Sequence, residues 1–188
     1  DRVTASRQAW ARIGFEAAYI LRGPAFFGLM AIGLMNAVGA LWDADRFLGV
    51  GIYPVTRVMT QALNDAFALI PILMAAYFAG ELVWRDRDRR MYELVDSTPT
   101  ATWSFLVPKA AALTGVLAVG IAVAALAGVG VQALKAFNQF EPPQYLAWFV
   151  LPQLLTAFAI ASLAIFLHTI SPNKFVGWGG MFAYVLAA

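Results

Sequence analysis

Between Glu81 and Glu93 the chain sets eight charged side chains in thirteen positions: Glu81, Arg85, Asp86, Arg87, Asp88, Arg89, Arg90 and Glu93. Glu81 and Arg85, Asp86 and Arg90, and Arg89 and Glu93 each stand four apart, the spacing at which opposite charges meet on one face of a helix. The chemistry such a run offers is ionic recognition, not bond making. A metal centre is not expected: there is no cysteine and His168 is the single histidine, which leaves too few ligands for a thiolate or all-protein zinc site. Neither the H-E-x-x-H pair of zinc peptidases nor the G-x-x-x-x-G-K-[ST] phosphate loop occurs. No catalytic residue is therefore expected in this segment, and ATP binding or peptidase activity would have to reside elsewhere. A formal charge of +2 is too small to suggest a nucleic-acid surface.

The elements that must carry these charges are apolar. Hydrophobic residues make up 61% of the chain and charged ones 13%, with a mean hydropathy of +0.70; ordinary soluble domains are about 45–50% apolar. Residues 25–42, 66–84, 110–134 and 145–167 are long apolar runs, with Glu81 the one formal charge among them. Each approaches the about 20 residues that cross a bilayer as a helix. Residues 175–188 read as the start of a fifth span that continues past residue 188. Barrel strands alternate in polarity over about ten residues, and these runs do not. The fold class expected is all-α, a polytopic membrane protein.

Ten of the 13 cations fall on one side if the N-terminus is cytoplasmic: Arg2, Arg7, Arg12, Arg22, Arg85, Arg87, Arg89, Arg90, Lys109 and Lys174. Arg46, Arg57 and Lys135 stay outside. Basic residues are retained on the cytoplasmic side, so the expected location is a cytoplasmic membrane with the N-terminus inside. Residues 1–22 are not a signal peptide, having no compact apolar block. They predict an interfacial helix with Trp10, Ile13, Ala17, Ile20 and Leu21 on its apolar side and Gln8, Arg12 and Glu16 opposite, ended by Gly23-Pro24. A soluble tail is the alternative. In the outside loop Pro54 could occupy the first turn of a helix presenting Val55, Met59 and Leu63, and Pro71 would bend its continuation. Ala124 and Gly128 give the third span a small-xxx-small spacing suited to close helix packing.

The second span runs without a glycine or proline stop into the charged helix, whose later part places Met91, Leu94 and Val95 on one side before Pro99 closes it. Two readings remain open for residues 85–100: a solvated loop whose arginines enforce topology, or a rigid lever offered to a soluble partner. An interfacial helix, two spans, a Glu/Arg-rich helix ending in a Ser/Thr-Pro turn, a following Lys109 and two closely joined spans resemble the type-two class of ABC exporter permeases. More narrowly, Tyr53-Pro54-Val55-Thr56-Arg57, Ala79-Gly80-Glu81-Leu82-Val83-Trp84-Arg85, Asp96 with Pro99, and Asn173-Lys174 with Gly177 are similar to bacterial permeases joined to a gluzincin zinc aminopeptidase domain. The resemblance implies that Arg85, Asp86, Arg87, Asp88, Arg89, Arg90, Met91, Glu93, Leu94 and Val95 form a coupling helix docking on an ATPase subunit. It implies structural or transmission roles for Glu81, Trp84, Pro99 and Lys109, and an elbow role for residues 1–22. ATP and magnesium would belong to that partner. The other partners implied are the bilayer and a second permease half, either in the same polypeptide or as a homodimer.

Asn36, Thr114, Gln132, Gln153, Thr156 and Ser162 are the uncharged polar residues of the spans, and in lipid such groups turn toward other helices. His168 is expected among headgroups, and Glu81 is expected to pair with Arg85 on its own helix. The function expected is export by alternating access. The rivals are a membrane anchor for an extramembrane peptidase and a secondary transporter, the latter disfavoured because no charge stands at mid-span.

Overall fold

The computed structural model describes residues 2–44, 46–47, 50–51, 53–88, 103–137 and 139–187. Among the described residues the regular structure is helical apart from one two-residue antiparallel pair, β1 (Arg46–Phe47) with β2 (Val50–Gly51). The helices are α1 (Arg2–Leu21), α2 (Pro24–Asp43), α3 (Thr56–Phe67), α4 (Leu69–Asp88), α5 (Trp103–Leu134), α6 (Pro142–Tyr145), α7 (Leu151–Ile170) and α8 (Lys174–Ala187). A π-helical turn, Leu146–Val150, joins α6 to α7. Among the described residues four stretches are long and apolar enough to cross a membrane: Pro24–Asp43, Thr56–Arg85, Leu106–Leu134 and Pro142–Ile170. The protein is a multi-pass membrane protein.

Local chemistry sets the breaks. Gly23 is extended and Pro24 opens α2, its missing N–H costing nothing at a first turn. Pro71 cannot donate to the carbonyl of Phe67, and the helical ladder is interrupted at Ala68, between α3 and α4. Pro54 lies before α3 and not within its first turn: Val55 is the capping residue, and the buried face is Thr56, Met59, Thr60, Leu63 and Phe67. Pro54 is instead held by its carbonyl, which accepts a hydrogen bond of 2.8 Å from Gln132 Nε2. Tyr145 donates to Gln132 Oε1 at 2.8 Å, so both halves of this buried amide are satisfied.

The core runs along α4, α5 and α7, with α2 and α3 packed on one flank and α8 on the other. Ala124 and Gly128 are both buried, and Gly128 lies against Leu63 and the Tyr145 ring, so the small-residue spacing serves close packing. Asn36 Nδ2 donates to Ala66 O at 2.7 Å and Gln153 Nε2 to Asn64 Oδ1 at 3.2 Å, tying neighbouring segments together. Thr114 and Thr156 instead bond the carbonyls of Ala110 and Pro152 in their own helices.

At the end of α5, Ala136 takes φ 56°. Phe137 N–H reaches Gln132 O at 3.1 Å and Ala136 N–H reaches Ala133 O at 3.0 Å, the double bond of a Schellman ending. Glycine is the residue suited to that left-handed position. Ala136 is exposed, so Ala136→Gly is expected to stabilise by about 1 kcal/mol through relief of backbone strain. Thermal unfolding in detergent should show it as a rise in Tm.

Candidate functional site

The sequence-predicted residues gather where α4 leaves the apolar layer. Arg85 occupies its last turns, yet it does not pair with Glu81. Its guanidinium reaches back to α1, donating to Glu16 Oε2 at 2.5 Å and lying 4.5 Å from the centre of the Tyr19 ring. Lys109, on the first part of α5, donates to the other oxygen of Glu16 at 3.2 Å and to the carbonyl of Leu82 at 2.7 Å. The three side chains are 13%, 12% and 8% exposed for Glu16, Arg85 and Lys109. One carboxylate thus serves two cations in a nearly dry setting, where a charge without a partner is costly.

Glu16 was expected on the outward, polar side of α1, and the structure reverses this. Ile20 is buried, and Ile13, Ala17 and Leu21 turn inward with Glu16, while Trp10, Phe15 and Tyr19 are exposed. The rule that sorts polar groups outward holds for a helix facing water. A helix packed at the edge of a membrane bundle hides its charge among partner charges and leaves aromatic faces outside. The signal was present in the sequence: Glu16 is the only acidic residue between Arg2 and Trp42.

Glu81 bonds Lys174 at the start of α8, with Nζ 2.6 Å from Oε1. This pair is wetter, its side chains 28% and 31% exposed, and the ammonium also lies 5.1 Å from the centre of the Trp178 ring. Arg87 reaches the end of α7, donating to Thr169 O at 2.6 Å and Ser171 O at 2.9 Å. It supplies donors to carbonyls that have no partner within their own helix, and its guanidinium stacks 4.5 Å from the centre of the Trp84 ring.

His168 departs furthest from expectation. It is fully buried, wedged between two helices at glycines. A Cβ on Gly177 of α8 would lie 2.3 Å from His168 Nδ1, and one on Gly80 of α4 would lie 2.8 Å from Trp178 Nε1 and 3.1 Å from His168 Cε1. Trp84 Nε1 donates to His168 Nδ1 at 3.3 Å, which makes Nδ1 the acceptor and places the proton of a neutral ring on Nε2. Trp84 is therefore a packed joint between α4 and α7, not a free interfacial anchor. Among the described residues, His168 Nε2 and Trp178 Nε1 are buried without a hydrogen-bond partner.

Of the remaining predicted residues, Asp86 and Asp88 fall on the last turn of α4. Arg89, Arg90, Met91, Glu93, Leu94, Val95 and Pro99 lie outside the described residues. The structure brings Glu81, Trp84, Arg85, Arg87 and Lys109 to one end of the bundle, and adds Glu16, His168, Lys174 and Trp178, which the spacing of charges alone did not single out. No group of three or more potential ligands that could hold a metal occurs among the described residues. Three charges of α4 each reach a different element: Glu81 bonds α8, Arg85 bonds α1 and Arg87 bonds the end of α7. The chain matches no protein-family model, no curated protein and no solved structure.

Proposed function

We propose that this chain is the permease half of an ATP-driven exporter, in which residues 85–100 form a coupling helix docked on a separate ATPase subunit. The observation that carries this reading is the exit of α4. The helix runs unbroken from Leu69 to Asp88, and within its last two turns it is bonded to α1 through Arg85, to α5 through the Leu82 carbonyl, to α7 through Arg87 and to α8 through Glu81. A push delivered beyond Asp88 would therefore reach four other helices through hydrogen bonds and ion pairs. A loop that only enforced topology would need arginines facing headgroups, whereas Arg85 and Arg87 are consumed by protein partners. ATP and magnesium act on the partner subunit, a second permease half completes the pathway, and the N-terminus faces the cytoplasm of a cytoplasmic membrane.

The test is the docking face. Charges on it set orientation and specificity, while Met91, Leu94 and Val95 would fill a groove on the ATPase. Replacing Met91 and Leu94 together with aspartate is expected to abolish co-purification of an ATPase subunit in mild detergent and to stop export, with membrane insertion unchanged because the spans are untouched. A double variant that still co-purified with its ATPase and exported at the normal rate would remove the coupling assignment. It would leave a membrane anchor for an extramembrane enzyme as the better reading.

A further inference from the structure

At the end of the bundle opposite the Glu16–Arg85–Lys109 cluster, α3 and the π turn enclose an open groove of about 470 Å³ lined by Arg57, Thr60, Gln61, Asn64 and Trp148. Its walls are fixed from within. Pro152 brings no N–H to the Trp148 carbonyl four residues earlier, and Asn64 Nδ2 supplies the donor at 3.1 Å. The same amide group donates to Thr60 O at 3.0 Å, and its oxygen accepts from Gln153. Thr60 spends its proton on Arg57 O at 3.0 Å. Asn64 and Thr60 are thereby committed to holding the groove open, which leaves Arg57, Gln61 and the Trp148 ring to meet a ligand.

Among the described residues, Arg57 is the only charged one that lines the groove. It is exposed, and among the described residues no carboxylate pairs with it. That sets it apart from Arg85, Lys109 and Lys174 at the other end, each bonded to an acid. The helices that continue from the groove also present exposed apolar side chains. Going inward along the span, Leu69 and Leu73 of α4 are 58% and 51% exposed, and Leu155 and Phe158 of α7 are 73% and 59% exposed. In a multi-pass protein these faces meet acyl chains. A planar cation with two-pronged donors, an indole at headgroup depth and an aliphatic track below them match one molecule in charge and in shape.

We infer that the groove is a binding site for an anionic phospholipid, its phosphate held by Arg57 with Gln61, its headgroup against Trp148 and one chain laid over Leu69, Leu73 and Leu155. The site requires only that the bundle span a membrane, so it stands apart from the exporter assignment. Asp65, one turn beyond Gln61 and exposed, does not line the groove.

The experiment is native mass spectrometry of the detergent-purified protein titrated with phosphatidylglycerol, with phosphatidylcholine of the same chains, and with inorganic phosphate as competitor. Saturable binding of phosphatidylglycerol over phosphatidylcholine is expected, with Arg57→Gln lowering phosphatidylglycerol affinity about five- to tenfold, the worth of one basic contact at a membrane surface. Asp65→Asn, on the same exposed helix face, should bind at least as well as the parent and shows that a surface change alone does not reduce binding. Equal binding of the two lipids, or an unchanged affinity in Arg57→Gln, would overturn the site. Full displacement by millimolar phosphate would make it a site for a free anion and overturn the lipid assignment.

Discussion

Gly177→Ala is expected to destabilise the protein by about 3 kcal/mol, the upper range for overpacking a close-fitted core. The added methyl would meet the His168 ring broadside, at 2.3 Å from Nδ1, 2.6 Å from Cε1 and 2.9 Å from Cγ. The ring has nowhere to retreat. Trp84 holds Nδ1 from α4, and the Gly80 backbone stands at the opposite edge. Relief must come from α8 moving off α7, which would also part Lys174 from Glu81. Thermal unfolding in detergent should show a large drop in Tm. In a His168→Ala background the same glycine change should be close to neutral, because the colliding ring is gone; the double-mutant cycle isolates that contact. An unchanged Tm for Gly177→Ala alone would mean that the α7–α8 joint is looser than the structure has it.

Glu16→Ala should be comparably severe, at about 3–5 kcal/mol, the cost of removing one partner from a buried ionic group. Arg85 and Lys109 would both lose the carboxylate they share, while Lys109 would keep the Leu82 carbonyl. Lys109→Met should cost less, since Glu16 retains Arg85 and the methionine fills the stem's volume. The contrasting control is Glu81→Gln. That pair is 28% and 31% exposed, and exposed pairs are worth about 0–1 kcal/mol. Unfolding in a mixed-detergent titration should therefore rank Glu16→Ala well below Lys109→Met, with Glu81→Gln nearest the parent. The reverse order would show that solvent reaches the Glu16 cluster.

The spans and their breaks were legible because each has a local cause. Apolar length marks Pro24–Asp43 and Leu106–Leu134, and Gly23-Pro24 and Pro71 act on the residues beside them. The residues that α4 would bring to a junction were legible too, as a run of charges continuing a span. Their partners were not. Glu81 has Arg85 within reach on its own helix, and choosing Lys174 instead, 93 residues away, depends on how α4, α1 and α8 are placed around one another. Glu16 reads as outward on the wheel of a single interfacial helix, and only the docking of α1 on α5 reverses it. His168 read as a headgroup residue because it ends a span. What buries it is a pair of glycines on two other helices, at positions 80 and 177, whose meaning appears only once those helices face each other.

The π turn adds a consequence for how this chain can change over generations. Pro152 withdraws a donor from the Trp148 carbonyl and Asn64 on another helix restores one, so the two positions answer a single deficit. Their tolerance to substitution is then epistatic: with proline at 152 the amide at 64 has a task, and once residue 152 carries its own N–H that task lapses. The order of the two replacements matters. A lineage that first lost the proline could afterwards vary residue 64 at lower cost, whereas one that first lost the asparagine would carry an unanswered carbonyl until residue 152 changed or a water took its place.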